Sequence, residues 1–542
     1  STTKILIYTH IKPLKFFVTL FFIGLSFVMS AQDASFYKKY ADKGDKEAMY
    51  NLAQCYINGS GGVAQDYNTA TMWLTKSAKK NYAPAQKDLA LCYFYGIGVL
   101  KDYQKAWEFL NKAQKNGDAN ATYYIAQFYK DGIFVSKSPI RYISNLKIAA
   151  KAGDDDALAE LGHLYIVGND EYGISQDSYA AVRYIQQAAE QNNSDALLDL
   201  GFCYRDGVGG LQSDVEKAFE YYYKSAQTGN ARAYCEVGMC YRNGYGTKQD
   251  YDQAFKCLSY AAEQGIPNAY KMLGDMYYYG DGVDVDNAEA AKWYQKAVDE
   301  GYGNAYARLA NMYRYGLGVS TDVKHAFELD KLAADAGYTE SMVGLAISYQ
   351  FGMGCKENMS TAVNYYKQAA EQGSNYAQYR LYGIYRDGEG IAKNQQLAIQ
   401  YLRQAADDDY SDALYSLGYE YAVGEILHQE KSKAVEYMTR AAEKGDAFAS
   451  AVIGTMYYSG DPSLDIEKDY KKAFYYLGYV AYVGKLSNKE LLAEVYRDLG
   501  ACYRFGRGTD VNQSMASFYT EKAAELGDEH SLDAVKLLRK DN

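Results

Sequence analysis

Residues 305–337 read AYARLANMYRYGLGVSTDVKHAFELDKLAADAG, and the spacing of small and apolar residues in this stretch decides the fold. In its first half they are Ala305, Leu309, Ala310 and Tyr313. Their intervals of four, one and three residues place them on one stripe of an α-helix. Gly316 follows, as expected where a helix ends in a left-handed conformation. Asp322 can then accept hydrogen bonds from the free amides that open a second helix, so the stretch predicts one helix–turn–helix unit.

The unit recurs thirteen times, usually every 36 residues, from about Ala48 to Gly527. Every copy has a tyrosine three residues before the first glycine, from Tyr56 to Tyr503. Because such regularity argues for packing, we expect these rings to fill the space between helices. Twelve copies have a short polar residue that can cap the second helix, and Glu430 is the exception. The predicted caps are Asp66, Asp102, Ser138, Asp177, Asp214, Asp250, Asp286, Asp322, Asn358, Asn394, Asp469 and Asn512.

Two helices cannot bury a core alone, but stacked copies can, because each helix pair covers the apolar face of its neighbour. The repeats therefore predict an all-α solenoid. The loop residues Gly280, Gly282, Val283 and Asp286 give a Gly-x-Gly-Val-x-x-Asp pattern. Plain tetratricopeptide repeats are about 34 residues long and lack this pattern.

With this loop, the pattern resembles the Sel-one-like repeats, a branch of the tetratricopeptide-like superfamily, over nearly all of the chain that follows residue 31. The resemblance implies a right-handed αα superhelix of about thirteen helix–turn–helix repeats. It also implies an adaptor that holds protein partners, often outside the cytoplasm or in the lumen of the endoplasmic reticulum.

The ends of the chain depart from the repeat. Lys12 and Lys15 precede an apolar run from Phe16 to Val28, and small residues follow up to Ala31, as in an export signal. We therefore predict a signal peptide at 1–31, a capping helix at 32–47, the repeats at 48–528 and a second capping helix at 529–542. A retained N-terminal anchor is the alternative to cleavage. No later segment approaches the twenty or so apolar residues that span a bilayer, so no membrane-spanning body is expected.

Insertions also interrupt the period. Extra residues lie between Gly168 and Asp177, between Gly460 and Asp469 and, most of all, in the segment 484–495. We expect the last insertion to offset the final repeat.

The net charge of the chain is −11, and loss of the first 31 residues, which hold three lysines and no acid, makes it more negative. An acidic surface repels phosphates, so neither nucleic acid nor anionic lipid is the expected partner of the repeats.

The sequence offers no catalytic or metal-binding motif. The histidines after the leader are His163, His325, His428 and His530, each in a different repeat or cap, which gives no metal site by local spacing. The glycine-rich loops lack the lysine that cradles phosphate. We therefore expect no enzyme, no metal and no cofactor, with a cell-envelope hydrolase acting on cell-wall peptides or related amides as the alternative.

Most of the eight cysteines occupy one apolar slot of the first helix, where other copies have Phe, Leu, Met or Ile, and so they behave as core residues. One copy has cysteine in both helices. There the sequence allows a disulfide between Cys257 and either Cys235 or Cys240.

The candidate partner-binding residues follow the repeated tyrosine. The resemblance implies that this position of the first helix faces a concave surface, and its residues here are Arg205, Arg242, Tyr278, Arg314, Arg386 and Arg504. A row of arginines in an acidic protein suggests a grip on an acidic peptide through charge-assisted hydrogen bonds. The alternative is that each arginine interacts with the dipole of its helix C-terminus and stays solvated.

Together these observations predict an exported, monomeric scaffold that presents a concave groove to a protein or peptide partner. The expected location is the periplasm, the cell surface or the extracellular space, or the endoplasmic reticulum lumen in a eukaryote. A secreted effector that engages a host protein is a further alternative.

Overall fold

The computed structural model describes residues 33–538, which contain 28 α-helices and no β-strand. The predicted signal peptide at 1–31, residue 32 and the last four residues of the predicted C-terminal cap lie outside this range. The helices belong to two compact units, which meet in sequence between Val285 and Asp286.

Unit 1 has fourteen helices. They are α1 (Ala34–Ala41), α2 (Lys46–Asn58), α3 (Tyr67–Lys79), α4 (Ala83–Tyr95), α5 (Tyr103–Lys115), α6 (Ala119–Asp131), α7 (Pro139–Lys151), α8 (Asp155–Val167), α9 (Ser178–Glu190), α10 (Ser194–Asp206), α11 (Val215–Gln227), α12 (Ala231–Asn243), α13 (Tyr251–Glu263) and α14 (Pro267–Tyr279). A short 3₁₀ turn, Asp170–Tyr172, lies between α8 and α9.

Unit 2 has the other fourteen. They are α15 (Asn287–Asp299), α16 (Gly303–Tyr315), α17 (Val323–Asp335), α18 (Thr339–Phe351), α19 (Met359–Glu371), α20 (Asn375–Asp387), α21 (Gln395–Asp407), α22 (Ser411–Val423), α23 (Lys431–Glu443), α24 (Ala447–Ser459), α25 (Tyr470–Val483), α26 (Lys489–Phe505), α27 (Gln513–Glu525) and α28 (Glu529–Leu538).

Within each unit, consecutive helices pack as hairpins and each hairpin packs on the next. The even-numbered helices α2–α26 are the first helices of the repeats, here called A helices, and the odd-numbered helices α3–α27 are the B helices. α1 packs on the first A helix and α28 on the last B helix. The predicted all-α fold of stacked helix–turn–helix repeats is confirmed.

The turn after each A helix depends on its glycine. Gly316 has φ 66° and ψ 37°, the left-handed conformation that a side chain disfavours. Gly168 and Gly460 keep a positive φ but have ψ near 150°, at 158° and 147°. These two glycines open the predicted insertions, which close on themselves through the isolated bridges Asn169–Ile174 and Asp461–Ile466. The insertions therefore enlarge a turn and leave the hairpin intact.

The insertion in 484–495 has a different outcome. Gly484 ends α25 in the left-handed conformation. The following A helix, α26, then begins at Lys489 and has 17 residues, whereas the other A helices have 13. Part of the inserted sequence thus forms an extra turn at the N-terminus of α26.

All twelve predicted caps are confirmed. The Asp322 carboxylate accepts a hydrogen bond from the His325 amide at 2.9 Å, and the other eleven side chains also accept from amides in the first turn of their B helices. Glu430 has the same extended backbone but makes no capping hydrogen bond. Its side chain pairs with Lys433 instead, at 2.9 Å.

The core consists of recurring small and aliphatic residues. Ala305 and Ala310 of α16 are fully buried, as is Leu258 of α13. A Cβ on Gly238 would lie 2.7 Å from Leu258 Cγ, so the A and B helices approach too closely there for any side chain. The repeated tyrosines pack as predicted: Tyr204 stacks on Tyr221 of its B helix, with ring centroids 5.4 Å apart, and other copies pair in the same way. Among residues 33–538 no helix is both long and apolar enough to cross a bilayer.

Candidate protein-binding face on the A helices

The third, seventh and eighth residues of each repeat's A helix are buried in the core of its repeat. The second, fifth, sixth, ninth and twelfth residues are mostly half-buried, and we call these side chains the A-helix face; in α26 the count begins at Ala493 because of its extra turn. The twelfth position carries the row that the sequence predicts to bind a partner.

Neighbouring A helices of unit 1 are joined by polar contacts across this face. Gln54, the ninth residue of α2, donates through Nε2 to Asp88 Oδ2 of α4 at 2.8 Å. Gln127 of α6 makes the same contact with Glu160 of α8, at 2.6 Å, and Glu160 also accepts a hydrogen bond from Lys130. Sequence reasoning missed these contacts because the partners lie one repeat apart in the chain.

The contact continues for one more repeat and then loses its donor. His163 Nδ1 of α8 lies 3.5 Å from Asp199 Oδ2 of α10, and this carboxylate raises the pKa of the imidazole. In the next pair of A helices, the position of the donor is occupied by Phe202 of α10, which has no hydrogen-bond donor in its side chain. The position of the acceptor is occupied by Glu236 of α12. Burial raises the pKa of the Glu236 carboxyl to about 7, against the opposing effect of Arg205.

The predicted row residues of unit 1 are engaged within the protein. Arg205 is 46% exposed and donates to both oxygens of Asp206, at 2.7 and 2.8 Å. Arg242 is 14% exposed, and its Nη2 lies 2.6 Å from Asp281 Oδ2 in the loop of the next repeat. Tyr278 is half-buried, in edge contact with the tyrosine that follows it. All three partners are local or one repeat away.

Two row residues of unit 2 reach solvent. Arg386 is 39% exposed; its Nε donates to Asp387 at 2.8 Å and its Nη1 to the Tyr382 hydroxyl at 3.1 Å. Arg504 is half-buried, with Nη2 3.5 Å from Thr520 Oγ1 of its own B helix.

Arg314 is the exception in the row, because its side chain is fully buried. The guanidinium donates to Asp330 of α17 and to Asn311, and Nη2 lies 3.5 Å from Ser348 Oγ. A Cβ on Gly344 would lie 2.1 Å from Asp330 Oδ2, so this glycine makes the space for the pair. Arg314 cannot reach a partner without breaking a buried ion pair.

The sequence does carry a signal for this pair. Asp330 occupies the eighth position of its B helix, a core slot that is apolar or tyrosine in most repeats. Its equivalents include Leu74, Leu110, Leu146, Ile185, Tyr222, Leu258, Tyr366 and Leu402. A carboxylate there requires a buried cationic partner. Gly344 and Ser348 also differ from the larger residues that most repeats have at these positions. Together with Asp330 they form one site that accommodates the buried guanidinium.

Tyrosines dominate part of the A-helix side of unit 2. Tyr376 and Tyr419 are 40% and 47% exposed, at the second position of α20 and the ninth of α22. Tyr379 and Tyr415 are half-buried at the fifth position of the same helices, and Tyr415 meets Phe448 of α24 edge to face, with centroids 5.2 Å apart. We call these five residues the tyrosine wall; sequence reasoning, which followed the twelfth position, missed it.

The cysteines are free thiols in the structure. Cys235 and Cys240 are buried and Cys257 is half-buried, and burial raises the pKa of the Cys240 thiol to about 12. A disulfide from Cys257 to either stays a prediction. Mass measurement of alkylated protein with and without reductant tests it, since equal alkylation of all eight thiols would exclude the bond.

Within 33–538, no three side chains from His, Cys, Asp and Glu converge in an arrangement that could hold a metal ion. The side chains on the A-helix face include hydrogen-bonding, charged and aromatic groups.

Thirteen segments of the chain match the model of the Sel1 repeat. They are residues 46–82, 83–118, 119–154, 155–193, 194–230, 231–266, 267–302, 303–338, 339–374, 375–410, 411–446, 447–478 and 493–528. The gap before the last segment, residues 479–492, overlaps the inserted sequence at 484–495.

Solved structures with the same repeat are similar to this chain. A protective antigen of uropathogenic Escherichia coli, which displays an SLR fold, is 26% identical with a TM-score of 0.52, over 84% of this chain and 97% of that one. A Sel1 repeat protein from Oxalobacter formigenes is 25% identical with a TM-score of 0.41, over 59% of this chain and 90% of that one. No curated protein matches. Because the repeat model accounts for most of its length, the chain belongs to the Sel1 repeat family.

Proposed function

We propose that this chain is an exported scaffold that binds a protein or peptide partner through its A-helix face. Stacked helix pairs of the Sel1 type form a scaffold suited to protein interaction. They provide many side chains at fixed spacing on rigid elements, so affinity arises from many modest contacts around a few anchors. Sel1 repeat scaffolds are typically non-catalytic, and we propose that this chain also acts by binding alone.

The tyrosine wall carries this proposal. Tyr376 and Tyr419 expose 40% and 47% of their surface, although tyrosine is large and partly apolar. Tyrosine is enriched at the centres of protein interfaces, because it supplies a large contact area with little loss of conformational freedom. Side chains of the wall pack against one another, as Tyr415 and Phe448 do. The Tyr379 hydroxyl also lies 3.0 Å from Ser416 Oγ of the next A helix. A preformed aromatic surface of this kind favours a partner segment with apolar side chains.

The arginine row adds charge to the A-helix face of each unit, and in unit 2 Arg386 lies on α20, the helix that carries Tyr376 and Tyr379. We propose that Arg386 and Arg205, which are 39% and 46% exposed, exchange their adjacent aspartates for acidic groups of the partner. Arg504 and Tyr278 would each contact the partner where it passes their own repeat. Arg242 and Arg314, held by Asp281 and Asp330 respectively, would instead position the A-helix face.

Affinity purification with crosslinking tests the function. The double variant Tyr376→Ala, Tyr419→Ala should lose the partner that the wild-type chain captures, with affinity reduced about tenfold or more because each truncated anchor costs over about 1 kcal/mol. The matched control is Tyr179→Ala, Tyr482→Ala, which removes two exposed tyrosines from B helices. Equal capture by both double variants and the wild type would reject the A-helix face as the binding surface.

The proposal that the chain is exported rests on the apolar run at 16–28 and on the small residues that follow it. Cell fractionation with N-terminal sequencing of the recovered protein tests this part. Recovery of the chain from the cytoplasm with residues 1–31 attached would contradict it.

A further inference from the structure

The last residue of the B helix is basic in the first three repeats and acidic in eight of the ten later ones. It is Lys79, Lys115 and Lys151 in α3, α5 and α7, and all three are exposed. In later repeats it is acidic at Glu190, Glu263, Asp299, Asp335, Glu371, Asp407, Glu443 and Glu525. A helix C-terminus favours lysine, but the later repeats show that this preference does not decide the residue here. The presence of lysine at the ends of α3, α5 and α7 therefore needs another explanation.

The rest of the exposed side of α3, α5 and α7 is also basic. It carries Lys76, Lys105, Lys112, Arg141 and Lys147, and Glu108 is the only acid within these three helices. Among the described residues, the one ion pair that these basic side chains make is between Lys105 and Asp102, at 3.5 Å. We call the exposed side of these helices and the loops before α5 and α7 the basic outer face. It lies on a chain whose net charge is −11.

Apolar side chains stand among these charges. Leu100 is 91% exposed, Ile140 83%, Phe134 and Ile148 54% each, and Met72 45%. Single exposed apolar residues are ordinary on a protein surface. Five on the same three repeats, between lysines, give a surface that is both cationic and apolar.

Phe134 is also held in an unfavourable backbone conformation. It occupies the position of Gly98 one repeat earlier and has φ +61°, a region that bulky residues rarely adopt. Backbone strain of this kind tends to occur where a side chain is held for a function. Here the phenyl ring is exposed to solvent, three residues before Lys137, whose ammonium lies 2.8 Å from Glu171 Oε1.

We propose that the basic outer face docks on the surface of an anionic lipid bilayer. Lysine and arginine side chains are drawn to anionic headgroups, and exposed aliphatic and aromatic side chains enter the boundary between headgroups and acyl chains. A nucleic acid would use the charges but leave Leu100, Phe134 and Ile140 in water. Docking by B helices leaves the A-helix face of unit 1 open, so the proposal adds to the scaffold function. Net acidity disfavours anionic lipid only for a surface of uniform charge, and this one is not uniform.

Vesicle flotation with the full chain tests the proposal, with vesicles of phosphatidylcholine plus phosphatidylglycerol and vesicles of phosphatidylcholine alone. The wild type should bind the anionic vesicles more tightly, and added salt should weaken this binding. The triple variant Lys79→Glu, Lys115→Glu, Lys151→Glu should bind about a hundredfold more weakly or worse, since each lysine near an anionic surface contributes roughly fivefold. These substitutions give the residue type that later repeats have at this position, so the fold should tolerate them.

The matched control is Lys217→Glu, Lys224→Glu, Lys256→Glu, which changes the net charge equally on α11 and α13 and should retain most of the binding. A second variant, Leu100→Ala, Phe134→Gly, removes two apolar side chains and relieves the positive φ. It should weaken binding about tenfold and leave the salt dependence unchanged, because no charge is lost.

Three results would overturn the proposal. One is equal binding of the wild type to anionic and neutral vesicles, which would assign any attachment to residues 16–28. Another is equal loss in the two triple variants, which would make the effect one of net charge. The third is a lysine-dependent affinity for duplex DNA without affinity for anionic vesicles, which would assign the face to nucleic acid.

Discussion

At the scale of single residues, the buried pair of Arg314 and Asp330 departs from the repeat, because the other B helices have an uncharged residue at the position of Asp330. Removing charges from water is unfavourable, and a buried ion pair offsets this only when its geometry and hydrogen bonds are good. Here Gly344 and Ser348 remove side-chain volume around the pair. The pair fixes one A helix against its B helix and adds little net stability over an apolar core.

This view predicts a non-additive mutational result. Arg314→Met alone should destabilise unit 2 by about 3–5 kcal/mol, because it leaves a buried carboxylate without a partner. The double variant Arg314→Met, Asp330→Leu should be as stable as the wild type or more so, since leucine is common in that slot. Urea unfolding, with hydrogen exchange of α16–α18 as the local readout, measures both. A double variant as unstable as the single one would show that the pair itself stabilises the repeat.

Glu236 gives a prediction about pH. Its pKa is raised to about 7 in the folded chain, whereas a glutamate in an unfolded chain titrates near 4.3. The folded state therefore binds more protons between these values, and its stability falls as pH rises from about 4 through 7. Glu236→Gln should remove roughly 1 kcal/mol of this pH dependence, allowing for solvent screening at a partly exposed side chain.

Urea midpoints of the wild type and Glu236→Gln at pH 5 and pH 8 test this. The control is Glu216→Gln, an exposed acid of α11. The expected result is that Glu236→Gln is more stable than the wild type at pH 8 and similar at pH 5. A similar difference at both values would show that Glu236 titrates as an ordinary glutamate.

At the scale of helices, one cap is missing from an otherwise regular set. Glu430 has the extended backbone of an N-cap but its longer side chain makes no capping hydrogen bond. Glu430→Asp should therefore stabilise α23 by about 1 kcal/mol, because aspartate reaches the amides of the first turn. Slower hydrogen exchange of the amides at 432 and 433 would confirm it. Glu430→Ala, which lacks any acceptor, should give no such protection; protection in both variants would point to a cause other than capping.

The inserted segments also act at this scale. Asn169–Ile174 and Asp461–Ile466 close short loops with one bridge each, and the flanking helices keep 13 residues except α25, which has 14. A turn at the end of an A helix therefore accepts extra residues, as surface loops generally do.

At the scale of the whole molecule, each repeat contacts its neighbours in sequence within its own unit, so stability is expected to be local. Leu258→Ala in the core of α13 should cost about 2–5 kcal/mol. The loss of hydrogen-exchange protection should be confined to α12–α14, while α2–α4 keep their protection. Loss of protection in α2–α4 as well would show that unit 1 unfolds cooperatively as one body.

Much of the fold was predictable because it depends on local chemistry repeated many times. The glycine that ends each A helix, the cap that opens twelve of the thirteen B helices and the buried alanines and leucines each act within one repeat, and repetition makes the signal strong. The distribution of charge among the B helices is also present in the sequence. It was hidden by the net charge, which averages lysines in three repeats with acids in the others.

The candidate site was less predictable, because a side chain's availability depends on its neighbours in space. Arg314 and Arg386 occupy the same position of the repeat, yet one is fully buried against Asp330 and the other is 39% exposed. The tyrosine wall joins side chains from three A helices. The sequence by itself determined the helices, their ends and their order of packing, since hydrogen bonding and hydrophobic periodicity act over a few residues. Only the tertiary structure decided which polar side chains pair with residues one repeat away and which remain available to another molecule. The reason is that those contacts form between residues distant in the chain.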